Sequence, residues 1–252
     1  AETLAKYRSG EDTDLYPNSI WTDLLSNHTQ NQRYTINFRG GSEKTKFFVS
    51  GAFYDEKGIF KSNPLEDYDA NIGLKRYNLR SNVDMDITKT TKLSVDMSGQ
   101  YKTKNNPGNS SDQIWKHIVL FPTHLVPFTW SDGTAAAIES DADGRYNPYT
   151  LLNYSGYSKT WSAALQTKAT LKQKLDFITQ GLSIQGSISF DANFSSGMKR
   201  SMSPDKYSLV SKEDGVLNKK LVSTGSPLSD VGYSSSAGTK KIYIEAQLNY
   251  AR

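Results

Sequence analysis

No cysteine occurs in the 252 residues, so a disulfide framework and thiol chemistry are both excluded. Histidine is nearly as scarce, at three, and His28, His117 and His124 have no metal-binding spacing. No apolar run approaches the ~20 residues of a transmembrane helix, and no secretory leader pattern is visible. Charge of one sign is never concentrated. The 30 basic and 26 acidic residues are interspersed, which leaves no basic block for nucleic acid. Hydrophobic residues make up only 36%, few for a large packed core. Aromatics at 12%, with 15 tyrosines, argue against disorder. Such a balance suits sheets with one apolar and one wet face.

That two-faced pattern is present. In Gln32–Phe60, Tyr34, Ile36 and Phe38 alternate with Arg33, Thr35, Asn37 and Arg39. Successive side chains of a strand point to opposite faces, so one face is apolar and the other charged. Gly40-Gly41-Ser42 signals a turn. The return arm places Phe47, Val49, Gly51 and Phe53 on one face. The unit recurs: Tyr77, Leu79, Val83, Met85 and Ile87 alternate with Arg76, Asn78, Arg80, Asn82, Asp84 and Asp86. After a turn at Thr88–Thr91, Leu93, Val95, Met97, Gly99 and Tyr101 alternate with polar residues. Strands resume at Trp161, turn near Thr179-Gln180-Gly181, and continue through Leu182–Phe194. A last strand carries Ile242, Ile244, Ala246, Leu248 and Tyr250.

Between the strands three long loops are expected, at about 55–70, about 103–160 and about 195–238, the last two the longest. The 103–160 loop holds four of the eight prolines and two of the four tryptophans, too aromatic for simple disorder. Loops of this length are usually functional or disordered. Ahead of the strands, residues 1–31 read as a packed lead-in with one short helix over Glu2–Tyr7. A second helix, capped by Asn18 or Ser19, would hold Ile20, Trp21, Leu24 and Leu25.

Two features set the class. The strands exceed the usual ~5–6 residues, and short and long connections alternate. Transmembrane barrels combine tight periplasmic turns with long outer loops. The apolar faces would then meet lipid and the polar faces a watery lumen. Tyr77, Tyr101, Trp161 and Phe194 would form an aromatic girdle at the outer edge. The rival is a soluble twisted sheet with one solvated face.

Chemistry is sparse. Asp141, Asp143 and Gly144 echo part of a calcium loop without its full pattern. Asp84 and Asp86 share a face, as a glycosidase pair would, but read better as solvated wall beside Arg80. No nucleophile elbow or phosphate-cradling loop is present. No catalytic residue, metal site or cofactor is assigned, and no enzyme activity is expected. Trp115, Trp130, Tyr146 and Tyr149 in the long loop are the candidate substrate-binding residues. Flat rings stack on sugars and grip peptide side chains.

RGGSEKTKFFVSGAFYDEKGIF and KRYNLRSNVDMDITKTTKLSVDMSG resemble the SusC-like (starch-utilisation-system C-like) branch of TonB-dependent outer-membrane transporters. DLYPNSIWTDLL resembles that family's segment joining plug to barrel. The resemblance implies an all-β barrel of ~22 strands around a plug. It implies a SusD-like surface lipoprotein as lid, and TonB engaged through an N-terminal region missing here. Cargo would be oligosaccharide or peptide, taken up through the cell outer membrane. Only about seven strands are counted here, fewer than the eight of the smallest bacterial barrels. The expectation is therefore a fragment: lead-in over 1–31, then partial barrel over 32–252. A soluble β-rich glycan-binding module and a passive porin are the alternatives.

Overall fold

The computed structural model describes residues 2–63, 68–139 and 146–251. Seven long strands form one sheet: β1 (Asn31–Gly41), β2 (Thr45–Lys57), β3 (Gly73–Asp86), β4 (Thr91–Pro107), β6 (Gly156–Lys174), β7 (Leu182–Ser201) and β10 (Gly232–Tyr250). Their order is β1-β2-β3-β4-β6-β7-β10, and every neighbouring pair is antiparallel. The sheet is open, with β1 and β10 at its edges. A second, three-stranded sheet joins β5 (Ala135–Ala136), β8 (Lys206–Glu213) and β9 (Val216–Ser223).

Register turns the period-2 alternation of each strand into two continuous faces, because cross-strand partners share a face. Phe47, Val83, Val95, Ala169, Ile188 and Ile244 are successive partners in one apolar row. On the opposite face Arg80, Ser98, Gln166, Asp191 and Lys241 form a polar row, and Asn82, Asp96, Lys168, Ser189 and Tyr243 form the next. Among the described residues no second layer covers the apolar face. Leu79 is 48% exposed, Ile188 50% and Ile244 73%. A soluble sandwich would bury these side chains, so the single open sheet rules out that packing for the described residues.

The connections alternate in space as in sequence. At one end lie the turns β1–β2, β3–β4 and β6–β7. They are stitched together: the Asp86 N–H donates to the Lys44 carbonyl (2.7 Å) and the Lys174 N–H to that of Thr90 (2.8 Å). The described parts of the connections 58–72, 108–155 and 202–231 all lie at the other end.

Three expectations change. The 195–238 stretch is not a loop throughout: β7 continues to Ser201, β10 begins at Gly232, and the β8–β9 hairpin lies between them. Pairing with β6 carries β7 onward through a Ser- and Gly-rich stretch whose own alternation is weak. The hairpin closes at Asp214-Gly215, where φ is +48° and +82°, as a tight turn of this kind requires. The 103–160 stretch also begins late and ends early, and it contains α2 (Ser111–Leu120) and α3 (Pro148–Asn153). Ser110 Oγ accepts from the Gln113 N–H (3.2 Å) and Asn147 Oδ1 from that of Tyr149 (2.9 Å), capping both helices. In the lead-in, α1 (Glu2–Ser9) forms as expected and ends at Gly10, φ +66°. The second helix is a single 3-10 turn, Trp21–Leu24, and Ser19 does not cap it. Ser19 Oγ instead donates to the Val126 carbonyl (2.8 Å), tying the lead-in to the long loop.

Candidate functional site

The long-loop end carries its own core. Trp21 and Leu24 of the lead-in, Phe60 of the first long connection, and Ile114, Ile118, Phe121, Val126, Trp130 and Leu152 of the second pack together. Fully burying each such side chain contributes roughly 1.5–3 kcal/mol. The core thus gives these connections a fixed shape above the sheet. Asn147 knits its interior: its buried Nδ2 donates to the carbonyls of Pro127 (3.1 Å), Phe128 (3.1 Å) and Ala136 (3.0 Å). Residues 11–30 belong to this cap, so the lead-in reaches β1 from the long-loop end.

Ion pairs fasten the hairpin to it. Lys212 Nζ lies 2.8 Å from Asp12 and 2.9 Å from Asp14. The hydrogen bond from Lys212 holds the Asp12 carboxyl below its usual range. At Asp14 burial pushes the other way, but Lys212 and Ser131 outweigh it, and the net shift is downward. Asp132 pairs with Lys219; there too burial opposes, and Lys219 with Thr134 draws the carboxyl down to about 2. Lys220 and Glu139 pair at 2.8 Å in the open, where such a bridge adds little.

The four aromatic candidates divide within this cap. Trp130 is 3% exposed, and its indole N–H donates to the Tyr207 carbonyl (2.8 Å), anchoring β8. Tyr149 stacks on Phe128 (5.6 Å between centroids) and meets Tyr154 edge-on. Trp115, on α2, rests one side against Phe60 and is 38% exposed. Tyr146 lies 5.5 Å from the His117 ring, has Lys206 Nζ 5.3 Å from its ring centre, and is 37% exposed. Trp130 and Tyr149 meet in one core; Trp115 and Tyr146 keep ring surface at the rim.

Below the cap, the polar face forms a groove of about 550 Å³ lined by Arg80, Asn82, Asp96, Gln166, Lys168 and Asp191. Arg80 Nε donates to Asn82 Oδ1 (3.0 Å), and Asn82 in turn bonds Asp96. Asp84 accepts from Ser94 (2.6 Å) and Lys92 (3.0 Å). It is a paired wall residue, not half of a free acid–base couple. Mixed charges and amides of this kind exchange hydrogen bonds with hydrated solutes; nothing in the groove activates a nucleophile. Among the described residues no cluster of metal-ligating side chains occurs, and Asp141, Asp143 and Gly144 lie outside them. The hairpin lysines escaped the sequence reading, although Asp214-Gly215 flanked by Leu and Val was a usable hairpin signal.

The outward face adds the deciding relationship. Tyr34, Phe53, Tyr77 and Tyr101 are successive cross-strand partners, and the row continues through Ala163 to Phe194. Neighbouring rings lie 6.4, 5.0 and 6.3 Å apart. Trp161 stands two residues beyond, opposite Thr103. An exposed aliphatic face bordered by an aromatic row at its long-loop end is the pattern that the outer surface of a barrel wall presents.

Relatives agree. Over 165 residues the chain is 27% identical to TonB-dependent receptor P3 of Formosa agariphila, which covers 62% of this chain and 15% of that protein. Over 95 residues it is 25% identical to TonB-dependent receptor P26 of the same organism, covering 38% and 9%. The chain is similar in sequence to part of two proteins named TonB-dependent receptors. It matches only a small part of their length. No family model matches. Among solved structures, the RagAB peptide importer is similar in its 'closed-closed' state, at a TM-score of 0.39 and 13% identity over 96% of this chain and 33% of that one. In its 'open-open' state the TM-score is 0.41 and the identity 14%, over 97% and 33%. No helix of the described residues is long and apolar enough to cross a membrane, which says nothing of a β-barrel.

Proposed function

We propose that this chain is part of the barrel wall of an outer-membrane TonB-dependent transporter of SusC-like type, importing oligosaccharides or peptides. The observation that carries the reading is the open sheet itself. One face is aliphatic, exposed and bordered by an aromatic row, the other is polar and charged, and every long connection lies at one end. In this reading the turn end faces the periplasm and the cap faces outward. A SusD-like lipoprotein closes over the cap, and TonB acts through a region outside this chain. Residues 1–31 lead into the wall and residues 32–252 form it. Trp115 and Tyr146, which keep ring surface, are the proposed cargo contacts at the rim; Trp130 and Tyr149 hold the cap in shape behind them.

The test uses the full-length protein in outer-membrane fractions. Single cysteines at Val95 and at Asp96 are labelled with a lipid-soluble and with a water-soluble maleimide. The reading expects Val95→Cys to take the first and Asp96→Cys the second. Equal labelling by the water-soluble reagent would defeat it.

A further inference from the structure

Beyond the aromatic row, the outward face changes character. Lys75 precedes Tyr77 by two residues, Lys57 follows Phe53 by four, and Lys159 precedes Ala163 by four, each offset running toward the long-loop end. These offsets place them on the same face as the aromatic row, about 7 and 13 Å further along the strands at ~3.3 Å per residue. They line one groove of about 480 Å³ together with Trp161. All three lysines are exposed, and no carboxylate of the described residues lies within ion-pair distance of them. The carboxylates that share the groove are partly engaged: Glu56 accepts from the Tyr54 hydroxyl (2.8 Å) and Asp69 from the Asn71 N–H (2.9 Å), while Asp55 stands across from Lys75. The turn end differs. There the strand lysines Lys46, Lys92 and Lys172 fall on the polar face.

We propose that Lys57, Lys75 and Lys159 bind the phosphate of an anionic lipid headgroup in the outer leaflet. The inference rests on the barrel-wall reading. The aromatic row marks the boundary of the hydrocarbon, and headgroup phosphates lie just beyond it. A cluster of cations there gains from anionic headgroups, and Trp161 supplies the amphipathic ring that settles at such a boundary. The outward direction of the three side chains excludes lumenal cargo as their ligand.

The experiment uses the full-length protein in bicelles of phosphatidylcholine, with and without phosphatidylglycerol. Thermal unfolding is followed by heat-modifiable gel mobility. Anionic lipid should raise the midpoint of the unaltered protein. Lys57→Gln/Lys75→Gln/Lys159→Gln should lose at least half of that rise, and Lys75→Gln alone should lose part of it. Lys168→Gln, on the polar face, should keep it. The proposal is overturned if the triple variant keeps the full rise, if Lys168→Gln loses as much, or if inorganic phosphate in neutral bicelles reproduces the effect. Absence of a folded barrel band in both bicelles would instead remove the barrel-wall reading, and this inference with it.

Discussion

Lys212, in the β8–β9 hairpin, places its Nζ 2.9 Å from Oδ2 of Asp14 in the lead-in, and only 1% of the Asp14 side chain is exposed. A buried carboxylate is tolerated when its partner and hydrogen bonds are in place; removing one partner costs about 3–5 kcal/mol. Lys212→Met should therefore free the hairpin more than Lys220→Met, whose bridge to Glu139 is solvated. Limited proteolysis of the full-length protein should cut near Asp214-Gly215 in the first variant and spare the second. Equal protection would mean that the apolar contacts of Tyr207, Leu209 and Leu217 hold the hairpin by themselves.

The same pairs set a pH window. Asp12, Asp14 and Asp132 all have lowered pKa values in the folded state. A depressed carboxyl contributes stability above its unfolded value, which is lost as pH falls through the folded one. The unfolded reference is 3.8, and Asp132 falls to about 2. Hydrogen exchange in β8 and β9, corrected for intrinsic rate, should stay flat from neutral pH down to that reference. It should rise only in stronger acid. A rise near pH 6 would point to another group as the latch.

On the outward face, Val95 lies in an unbroken apolar row between Val83 and Ala169, while Asp96 faces Lys168 and Asn82 on the other. In the proposed barrel wall, Val95→Lys moves a charge into lipid at about 2–4 kcal/mol near the midplane. Asp96→Lys leaves its charge in water, so it should cost much less. Heat-modifiable mobility of the full-length barrel should separate the two. Equal tolerance would mean β4 is not half-immersed, and a larger loss at Asp96 would reverse the faces.

The two tryptophans of the cap should part company. Trp130→Ala removes a buried ring and its bond to Tyr207, and should destabilise the cap by about 3–5 kcal/mol. Trp115→Ala should leave the cap folded yet weaken cargo binding by roughly 0.5–1.5 kcal/mol, the worth of one ring contact. Proteolysis resistance reads the first effect. Titration of the full-length protein with oligosaccharide and peptide mixtures reads the second. Unchanged affinity for both mixtures would take Trp115 out of the cargo path.

Gly156 opens β6 at φ +82°, and a Cβ there would run into the Arg200 carbonyl. Its own carbonyl accepts from the Gly108 N–H (2.8 Å), so it also fixes where the long loop returns to the sheet. Gly156→Ala should cost more than 1 kcal/mol, visible as a lower unfolding midpoint. Gly99→Ala, whose Cβ would meet nothing within 4 Å and whose φ is ordinary, should be nearly neutral. Similar costs at both sites would show that the backbone around Gly156 relaxes enough to accommodate the Cβ.

Alternation by itself decides the faces. Because the side-chain period of a strand is two, a slip of one residue would turn Val83 and Val95 onto the polar face and Asp84 and Asp96 onto the apolar one. The apolar and polar sets, the seven strands and the short turns at Gly41 and Thr90 were therefore legible one strand at a time. Register across strands was not. Tyr34 and Phe53 join the aromatic row only because Tyr34 pairs with Phe53 and Phe53 with Tyr77. The cap was the least legible, since its contacts span most of the chain: Ser19 to Val126, Trp130 to Tyr207, Asp14 to Lys212. Irregular backbone has no period to read. Whether an aromatic of the long loop is buried like Trp130 or keeps a free face like Trp115 depends on which distant segment closes over it, and tertiary packing alone settles that.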